Sequence, residues 1–186
     1  LSRMGLKSES NAGKLPISIY KSYFSGIQYQ SPVARAQVKS AVILAGLGAS
    51  GKTFVTEPTL ARNHTEKMLA GLGADISVNE LTTTISKLIS PLSPFELSVP
   101  GDPSTAAFFA AAAVLVPNSE IILNRVLANP TRTGFFAALE KMGAGMECLK
   151  QWNETGEKSG NLRIYHQPLR AILIDGKDVP KIGRAS

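Results

Sequence analysis

The chain has 186 residues and a formal net charge of +6, with 44% hydrophobic and 18% charged residues. This composition excludes a disordered chain and predicts a globular protein of one large or two small domains. Lysines and arginines are scattered, so the basic excess favours small anionic substrates, and we expect no nucleic-acid partner. The single cysteine, Cys148, excludes a disulfide framework and indicates a reducing, cytoplasmic location. No apolar run reaches membrane-spanning length, so we expect no membrane partner.

The first half of the chain predicts alternating strands and helices. Residues 1–9 are typical of a helix end, a glycine turn and the start of a strand. The pattern then predicts strands at 15–20 and 27–29, a helix from about 33 to 46, a strand at 53–56, a helix at 61–72, and strands at 74–78, 82–89 and 95–99. Pro32 suits the start of the first helix, and the glycines at 46 and 48 suit its end.

The second half begins a similar pattern at Pro100. Asp102 is the predicted N-cap, and Pro103 the first residue, of a helix that runs to about Val116. Beyond this helix the pattern predicts a strand at 121–123, a helix at 133–142 capped by Thr131, a strand at 146–149, a polar loop through 160, and strands at 162–166 and 171–174.

The two halves therefore match each other at an interval of about 70 residues. The predicted strand at 53–56 corresponds to that at 121–123, and the turn after Leu72 corresponds to the turn after Met142. A unit of two helices and several strands is too long for a solenoid repeat. The order of elements instead predicts an α/β fold with the helices against one face of a mixed sheet.

Residues 46–53 match the phosphate-binding loop pattern G-x-x-x-x-G-K-[ST] at every fixed position. A working loop needs a strand before it and a helix beginning at its lysine, because the helix N-terminus holds the phosphates. Here the order is inverted, with a predicted helix before the match and a strand after it. We therefore expect a glycine turn with a solvated Lys52, and a nucleotide-binding protein is the less favoured alternative.

Five segments resemble the central part of 5-enolpyruvylshikimate-3-phosphate synthase. They are residues 32–41 (PVARAQVKSA), 57–58 (EP), 62–69 (RNHTEKML), 100–107 (PGDPSTAA) and 129–134 (NPTRTG). The Ala-Gln-Val-Lys-Ser form is similar to the bacterial branch that differs from the enteric enzymes. The five segments occur in the same order as in the family, and the resemblance covers nearly the whole chain.

The resemblance implies a fold of two lobes built from repeated βαβαββ units, with the active site between the lobes. It places residues 1–99 in the lobe that binds shikimate phosphate and residues 100–186 in the second lobe. It implies transfer of the carboxyvinyl group of phosphoenolpyruvate to the 5-hydroxyl of shikimate 3-phosphate, with release of phosphate. It also implies a monomeric full enzyme with two small anionic substrates and no cofactor or metal.

The resemblance assigns substrate-binding positions to this sequence. Gln37 matches a glutamine that contacts both substrates, and Arg62 matches the arginine that holds the shikimate phosphate. Ala36 belongs to the same substrate-binding turn. As alternatives, Gln37 could cap its helix or merely be solvated, and Arg62 could be an ordinary surface residue. Lys39 and His64 are interpreted as structural or solvated residues, and Asn129 and Arg132 as turn and capping residues.

Two positions depart from the family pattern. Arg35 stands where the family usually has a serine whose hydroxyl binds the shikimate phosphate, so the arginine either reaches the phosphate itself or fills the pocket. If it obstructs the pocket, serine at this position should improve affinity. Asn63 replaces the usual aspartate.

The chain is expected to be a piece of a longer enzyme. Leu1 is not a natural start residue, and the family's N-terminal lysine-serine-arginine motif and catalytic aspartate would lie outside the chain. Residues 178–181 resemble the approach to that aspartate. The resemblance therefore places no catalytic residue in this chain, and a folded, non-catalytic piece is an open alternative. A sister enzyme that acts on UDP-N-acetylglucosamine would need a cysteine in a loop, whereas Cys148 falls on a predicted strand.

Overall fold

A computed structural model describes residues 1–154, 156–175 and 182. The chain divides into two compact units, of which unit 1 is Leu1–Phe95 and unit 2 begins at Glu96. The division falls a few residues before Pro100, and the assignment of the units to two lobes stays a prediction. Residues 178–181, compared above with the approach to a catalytic aspartate, lie outside the described part.

The main sheet of unit 1 has four strands and two helices on one face. The helices are α1 (Ala36–Leu47) and α2 (His64–Gly71), and they contact each other as well as the sheet. A two-stranded hairpin, β1 (Lys7–Asn11) and β2 (Lys14–Tyr20), precedes the main sheet, whose strands are β3 (Gln28–Gln30), β4 (Thr53–Thr56), β5 (Ile76–Asn79) and β6 (Thr82–Ile85). The spatial order is β3-β4-β6-β5, in which β3 and β4 are parallel and the other pairs antiparallel.

The core of unit 1 lies between α1 and the sheet. Ile43 of α1, Val55 of β4 and Ile85 of β6 are fully buried there. Gly46 permits a close approach at the end of α1, because a Cβ at this position would lie 3.1 Å from the Thr53 Cβ. The second half of α1 is thereby held directly against the start of β4.

Unit 2 packs two helices against an antiparallel sheet. Its elements are α3 (Pro103–Leu115), β7 (Glu120–Leu127), α4 (Gly134–Met142), β8 (Gly145–Glu154) and β9 (Glu157–Tyr165). The sheet order is β7-β9-β8. Small residues on α3, such as Ala106 and Ala110, pack with Val126 and Ile164 of the sheet. The α/β class is as the sequence predicts, and the observed elements follow the predicted order, but the sheet of unit 2 is antiparallel and not mixed.

Several boundaries differ from the predictions. The segment 32–35 forms a turn, in which the Ser31 hydroxyl donates to the Val33 carbonyl at 2.7 Å, so α1 starts at Ala36 instead of following Pro32. The predicted polar loop before residue 160 is wrong, because its residues pair in the hairpin of β8 and β9. Thr131 does not cap α4; its hydroxyl and amide both donate to the Asn129 side chain.

Two predicted strands, at 95–99 and 171–174, are absent. The backbone of Ser98 is held by side chains and not by a neighbouring strand. Its amide donates to a Glu154 carboxylate oxygen at 3.1 Å, and its carbonyl accepts from the Arg125 guanidinium at 3.2 Å. A short apolar run can thus be anchored without joining a sheet.

Candidate functional site

The glycine-rich match at residues 46–53 has the predicted inverted order. α1 ends at Leu47, Gly48 is its C-cap, and β4 begins at Thr53. A helix C-terminus presents carbonyl oxygens and the negative end of the dipole, which disfavours phosphate. The geometry therefore excludes a phosphate-binding loop at this position.

The parallel strands β3 and β4 end at the same side of unit 1. The Ser31 amide donates to the Thr56 carbonyl at 2.8 Å, so the pairing continues to the last residue of β4. Each strand leads into a helix on the same face, and the N-termini of α1 and α2 therefore lie at the strand ends. We call residues 31–37 and 58–64 the unit 1 edge.

The predicted substrate-binding residues all lie on the unit 1 edge. Arg35 is the exposed N-cap of α1, Ala36 is its first residue, and Gln37 is its exposed second residue. Arg62 is half-buried and lies two residues before α2. The fold thus brings residues from two separate segments to one side of the unit.

Neither helix on this edge receives a hydrogen bond from the side chain of its N-cap residue. The Arg35 side chain does not cap α1, and the Asn63 side chain does not cap α2. Uncapped helix N-termini present backbone amides and the positive end of the dipole, which favour an anion. This is the local chemistry that a phosphate group would require.

Beneath the unit 1 edge lies a buried ion network. The Lys39 ammonium is 2.7 Å from a carboxylate oxygen of Glu57 and 2.7 Å from one of Glu66. The three residues are at most 4% exposed. A second oxygen on each carboxylate, Oε1 of Glu57 and Oε2 of Glu66, is buried without a hydrogen-bond partner among the described residues. We call these three residues the Lys39 network.

Glu57 and Glu66 were not predicted from the sequence as site residues, although a signal for them was present. Lys39 is at helical spacing with Val42, Ile43 and Gly46, and all four are buried on α1. A lysine on the apolar face of a helix requires a buried carboxylate nearby, because an unpaired buried charge is costly. That requirement pointed to acidic residues in neighbouring segments.

A cavity of about 360 Å³ opens beside Gln37 in unit 1. Its lining is mostly apolar, and Gln37 and Arg3 contribute polar side chains. The lining residues are Leu1, Arg3, Met4, Ile27, Tyr29, Gln37, Val38, Ala41 and Val42. Arg35 is exposed and does not line this cavity.

Unit 2 has a corresponding edge, formed by residues 101–105 and 128–134. Asp102 occupies the N-cap position of α3, as Arg35 does in α1, and Arg132 lies two residues before α4, as Arg62 does before α2. Here the side chains satisfy each other. The Asp102 carboxylate accepts from the Thr105 amide at 3.3 Å and forms an ion pair with Arg132. We call these residues the unit 2 edge.

The environment of Asp102 stabilises its ionised form. Partial burial raises the pKa of this carboxyl, but the Ser104 amide, the Arg132 charge and the Thr105 hydrogen bonds together lower the pKa below its usual value. The predicted capping function of Asp102 is confirmed by its bond to Thr105. Asn129, fully buried, organises the preceding turn by accepting two hydrogen bonds from Thr131.

Two negative findings concern the described part of the chain. Within residues 1–154, 156–175 and 182, no helix is long and apolar enough to cross a membrane. The same residues contain no group of three or more His, Cys, Asp and Glu that could hold a metal ion. Cys148 is exposed on β8, a strand and not a loop.

Comparison with solved structures gives the class of fold. The chain superimposes on an enolpyruvyl transferase, NikO from Streptomyces tendae, with a TM-score of 0.64 at 16% identity, covering 91% of this chain and 41% of that one. EPSP synthase from Acinetobacter baumannii is more similar, with a TM-score of 0.89 at 36% identity, covering 96% of this chain and 41% of that one. The fold is that of the enolpyruvyl transferases.

Sequence comparison gives the particular family. The family model for EPSP synthase (3-phosphoshikimate 1-carboxyvinyltransferase) matches residues 1–183, and the chain belongs to this family. A 3-phosphoshikimate 1-carboxyvinyltransferase from Desulfitobacterium hafniense is 46% identical over 167 residues, which are 90% of this chain. The matched part is 38% of the length of that relative, so the chain spans well under half of the proteins it resembles.

Proposed function

We propose that the protein to which this chain belongs transfers the carboxyvinyl group of phosphoenolpyruvate to the 5-hydroxyl of shikimate 3-phosphate. In this proposal the chain supplies part of the shikimate 3-phosphate site. The observation that supports it most is that two helices begin at the unit 1 edge and that neither is capped by the side chain of its N-cap residue. Family membership supplies the identity of the two substrates.

Each substrate-binding residue has a distinct function in this proposal. Arg62 binds the shikimate phosphate, for which a guanidinium provides several donors in a planar arrangement. Gln37 donates its side-chain amide to substrate oxygens from the exposed face of the first turn of α1. Ala36 places a backbone amide and no bulk at the helix N-terminus.

Arg35 acts as a second cation at the phosphate. The family resemblance matches it to a position that is usually serine. Arg35 is the N-cap of α1, and its exposed side chain does not line the adjacent cavity. A serine hydroxyl would donate one neutral hydrogen bond to the phosphate, whereas the arginine guanidinium donates charge-assisted hydrogen bonds, which are stronger. We therefore propose that Arg35 contributes to binding and does not obstruct it.

The chain alone is proposed to bind shikimate 3-phosphate weakly and not to catalyse transfer. The catalytic aspartate implied by the family resemblance has no counterpart among its described residues. Loss of a general acid or base typically reduces the rate by about 10²–10⁴-fold. The proposed full enzyme is a cytoplasmic monomer of two lobes that uses no cofactor.

A two-part experiment tests this proposal. Calorimetry of the chain with shikimate 3-phosphate should show saturable binding, which Gln37→Ala and Arg62→Ala each weaken. A phosphate-release assay with both substrates should show no turnover. Turnover that Gln37→Ala abolishes would mean that the chain contains a complete active site, and absence of binding would contradict the substrate assignment at the unit 1 edge.

A further inference from the structure

The Lys39 network joins three segments that contribute to the unit 1 edge. Lys39 is the fourth residue of α1, Glu57 directly follows β4, and Glu66 is the third residue of α2. A hydrogen bond of 2.7 Å between the Ser40 and Thr65 hydroxyls adds a second link between the two helices. The N-termini of α1 and α2 are therefore fixed to each other by polar contacts in addition to apolar packing.

The network also fixes the rotation of α1 about its axis. The Lys39 amide donates to the Arg35 carbonyl at 3.1 Å and so closes the first turn of the helix. Gln37 lies two residues before Lys39, and with 3.6 residues per turn the two side chains project from nearly opposite sides. Holding the Lys39 side chain in the interior consequently holds Gln37 on the exposed side.

Stability alone does not explain such a network. Two carboxylates surround one ammonium, and one oxygen of each carboxylate is buried without a hydrogen-bond partner among the residues described. Well-packed neutral residues of similar volume are often as stable as buried ion pairs or more so. What ion pairs add is a geometry with few alternatives, because any displacement leaves a buried charge unpaired.

From these observations, and resting on the proposed function, we infer that Lys39, Glu57 and Glu66 are positioning residues for the substrate site. They touch no substrate themselves. They hold the first turn of α1 and the approach to α2 in one arrangement, so that Gln37 and Arg62 face the same ligand. Pre-organisation of this kind raises affinity because less conformational freedom is lost on binding.

The test uses a neutral network in the 186-residue chain. Lys39→Met alone would leave two buried carboxylates without their counterion, so the variant is the triple Lys39→Met, Glu57→Gln, Glu66→Gln, which keeps the volumes and removes all three charges. The matched control is Arg163→Gln. This substitution also removes a cation that contacts two glutamates, Glu120 and Glu147, but on the exposed sheet of unit 2.

The first measurement is amide hydrogen exchange without ligand. Exchange at the Lys39 amide should be at least about tenfold faster in the triple variant than in the unsubstituted chain, because local opening becomes easier. The Phe54 amide, which donates to Ile27 within the same unit at 2.7 Å, should keep its rate, as should both amides in the Arg163→Gln control. An unchanged Lys39 rate, or equal acceleration at Phe54, would overturn the positioning function.

The second measurement is affinity for shikimate 3-phosphate in a double-mutant cycle. The triple variant should lose about tenfold in affinity, and adding Gln37→Ala should cost less than it does in the original chain, because coupled residues are not additive. Strict additivity would overturn the inference. If the original chain binds no ligand, the proposed function fails, while the exchange measurement still decides whether the network orders the edge.

Discussion

The unit 1 edge and the unit 2 edge use one scaffold with opposite placement of acidic residues. In unit 2 the acid is at the surface, where Asp102 caps α3 and pairs with Arg132. In unit 1 the N-cap is Arg35, and the acids Glu57 and Glu66 lie buried beneath the edge around Lys39. A repeated unit can therefore keep its fold while one copy caps its first helix with its own aspartate and the other leaves the N-terminus of that helix without a side-chain cap.

We expect the greatest difference between the two edges in the free energy of unfolding. Lys39→Met in unit 1 leaves two buried carboxylates without a cation and should reduce the free energy of unfolding by about 3–5 kcal/mol. Chemical denaturation monitored by circular dichroism measures this change. Adding Glu57→Gln and Glu66→Gln should restore most of the loss.

A matched substitution sharpens this result. Arg163→Gln removes a cation from two exposed glutamates, and water and salt already weaken such surface pairs, so its effect on stability should be small. If Lys39→Met were as mild as Arg163→Gln, the buried network would not have the structural importance inferred from its geometry.

A single substitution can make the unit 1 edge resemble the unit 2 edge. Arg35→Asp places a carboxylate at the N-cap of α1, where it competes with an anionic ligand for the helix amides and repels it. Affinity for shikimate 3-phosphate should fall by at least about tenfold, a loss of 1.4 kcal/mol in binding free energy. Calorimetry with the chain provides the measurement.

Arg35→Ser is the control for this substitution, since it restores the family residue without adding a negative charge. It should weaken binding less than Arg35→Asp does. Tighter binding in the serine variant would instead show that the arginine obstructs the site, the alternative that the sequence left open.

The sequence allowed much of the fold to be predicted because the signals were local. Asp102 and Pro103 specify the start of α3, and the β-branched run at 53–56 specifies β4, so both elements appear where expected. α3 is apolar on nearly all sides, yet only one side is buried, and Phe108 and Phe109 are 78% and 60% exposed. The predicted interval of about 70 residues agrees with the division into two units, but the predicted mixed sheet occurs only in unit 1, and the sheet of unit 2 is antiparallel.

The remaining features depend on contacts between distant residues. A polar segment forms the hairpin of β8 and β9 because its residues pair across the two strands, as Lys150 does with Asn161. No local sequence pattern identifies the partner strand. The Lys39 network likewise joins residues from α1, the end of β4 and α2. Its lysine was visible as a charge on an apolar face, but which carboxylates meet it depends on the fold.

The third prediction compares the two N-cap residues directly. Asp102→Ala removes the acceptor of the Thr105 amide and should destabilise unit 2 by about 0.5–2 kcal/mol, the usual cost of a lost N-cap. Arg35→Ala removes no capping bond and should stay within about 0.5 kcal/mol. Thermal unfolding of both variants gives the comparison, and equal losses would contradict the difference between the edges.

The smallest expected effect is a dependence on pH that belongs to the unit 2 edge. The folded state lowers the pKa of Asp102 from its ordinary value of 3.8 through hydrogen bonds and the Arg132 charge, which outweigh partial burial. Its contribution to stability is therefore complete above about pH 4 and is lost as the pH falls through the lower, folded pKa. Asp102→Asn keeps a capping oxygen but cannot be charged, so the difference in melting temperature between it and the original chain should shrink between pH 6 and about pH 2.5. Since Asp102 is about half exposed, solvent screening keeps the effect small, and a difference that grows on acidification would mean that the carboxylate is not stabilised by Arg132.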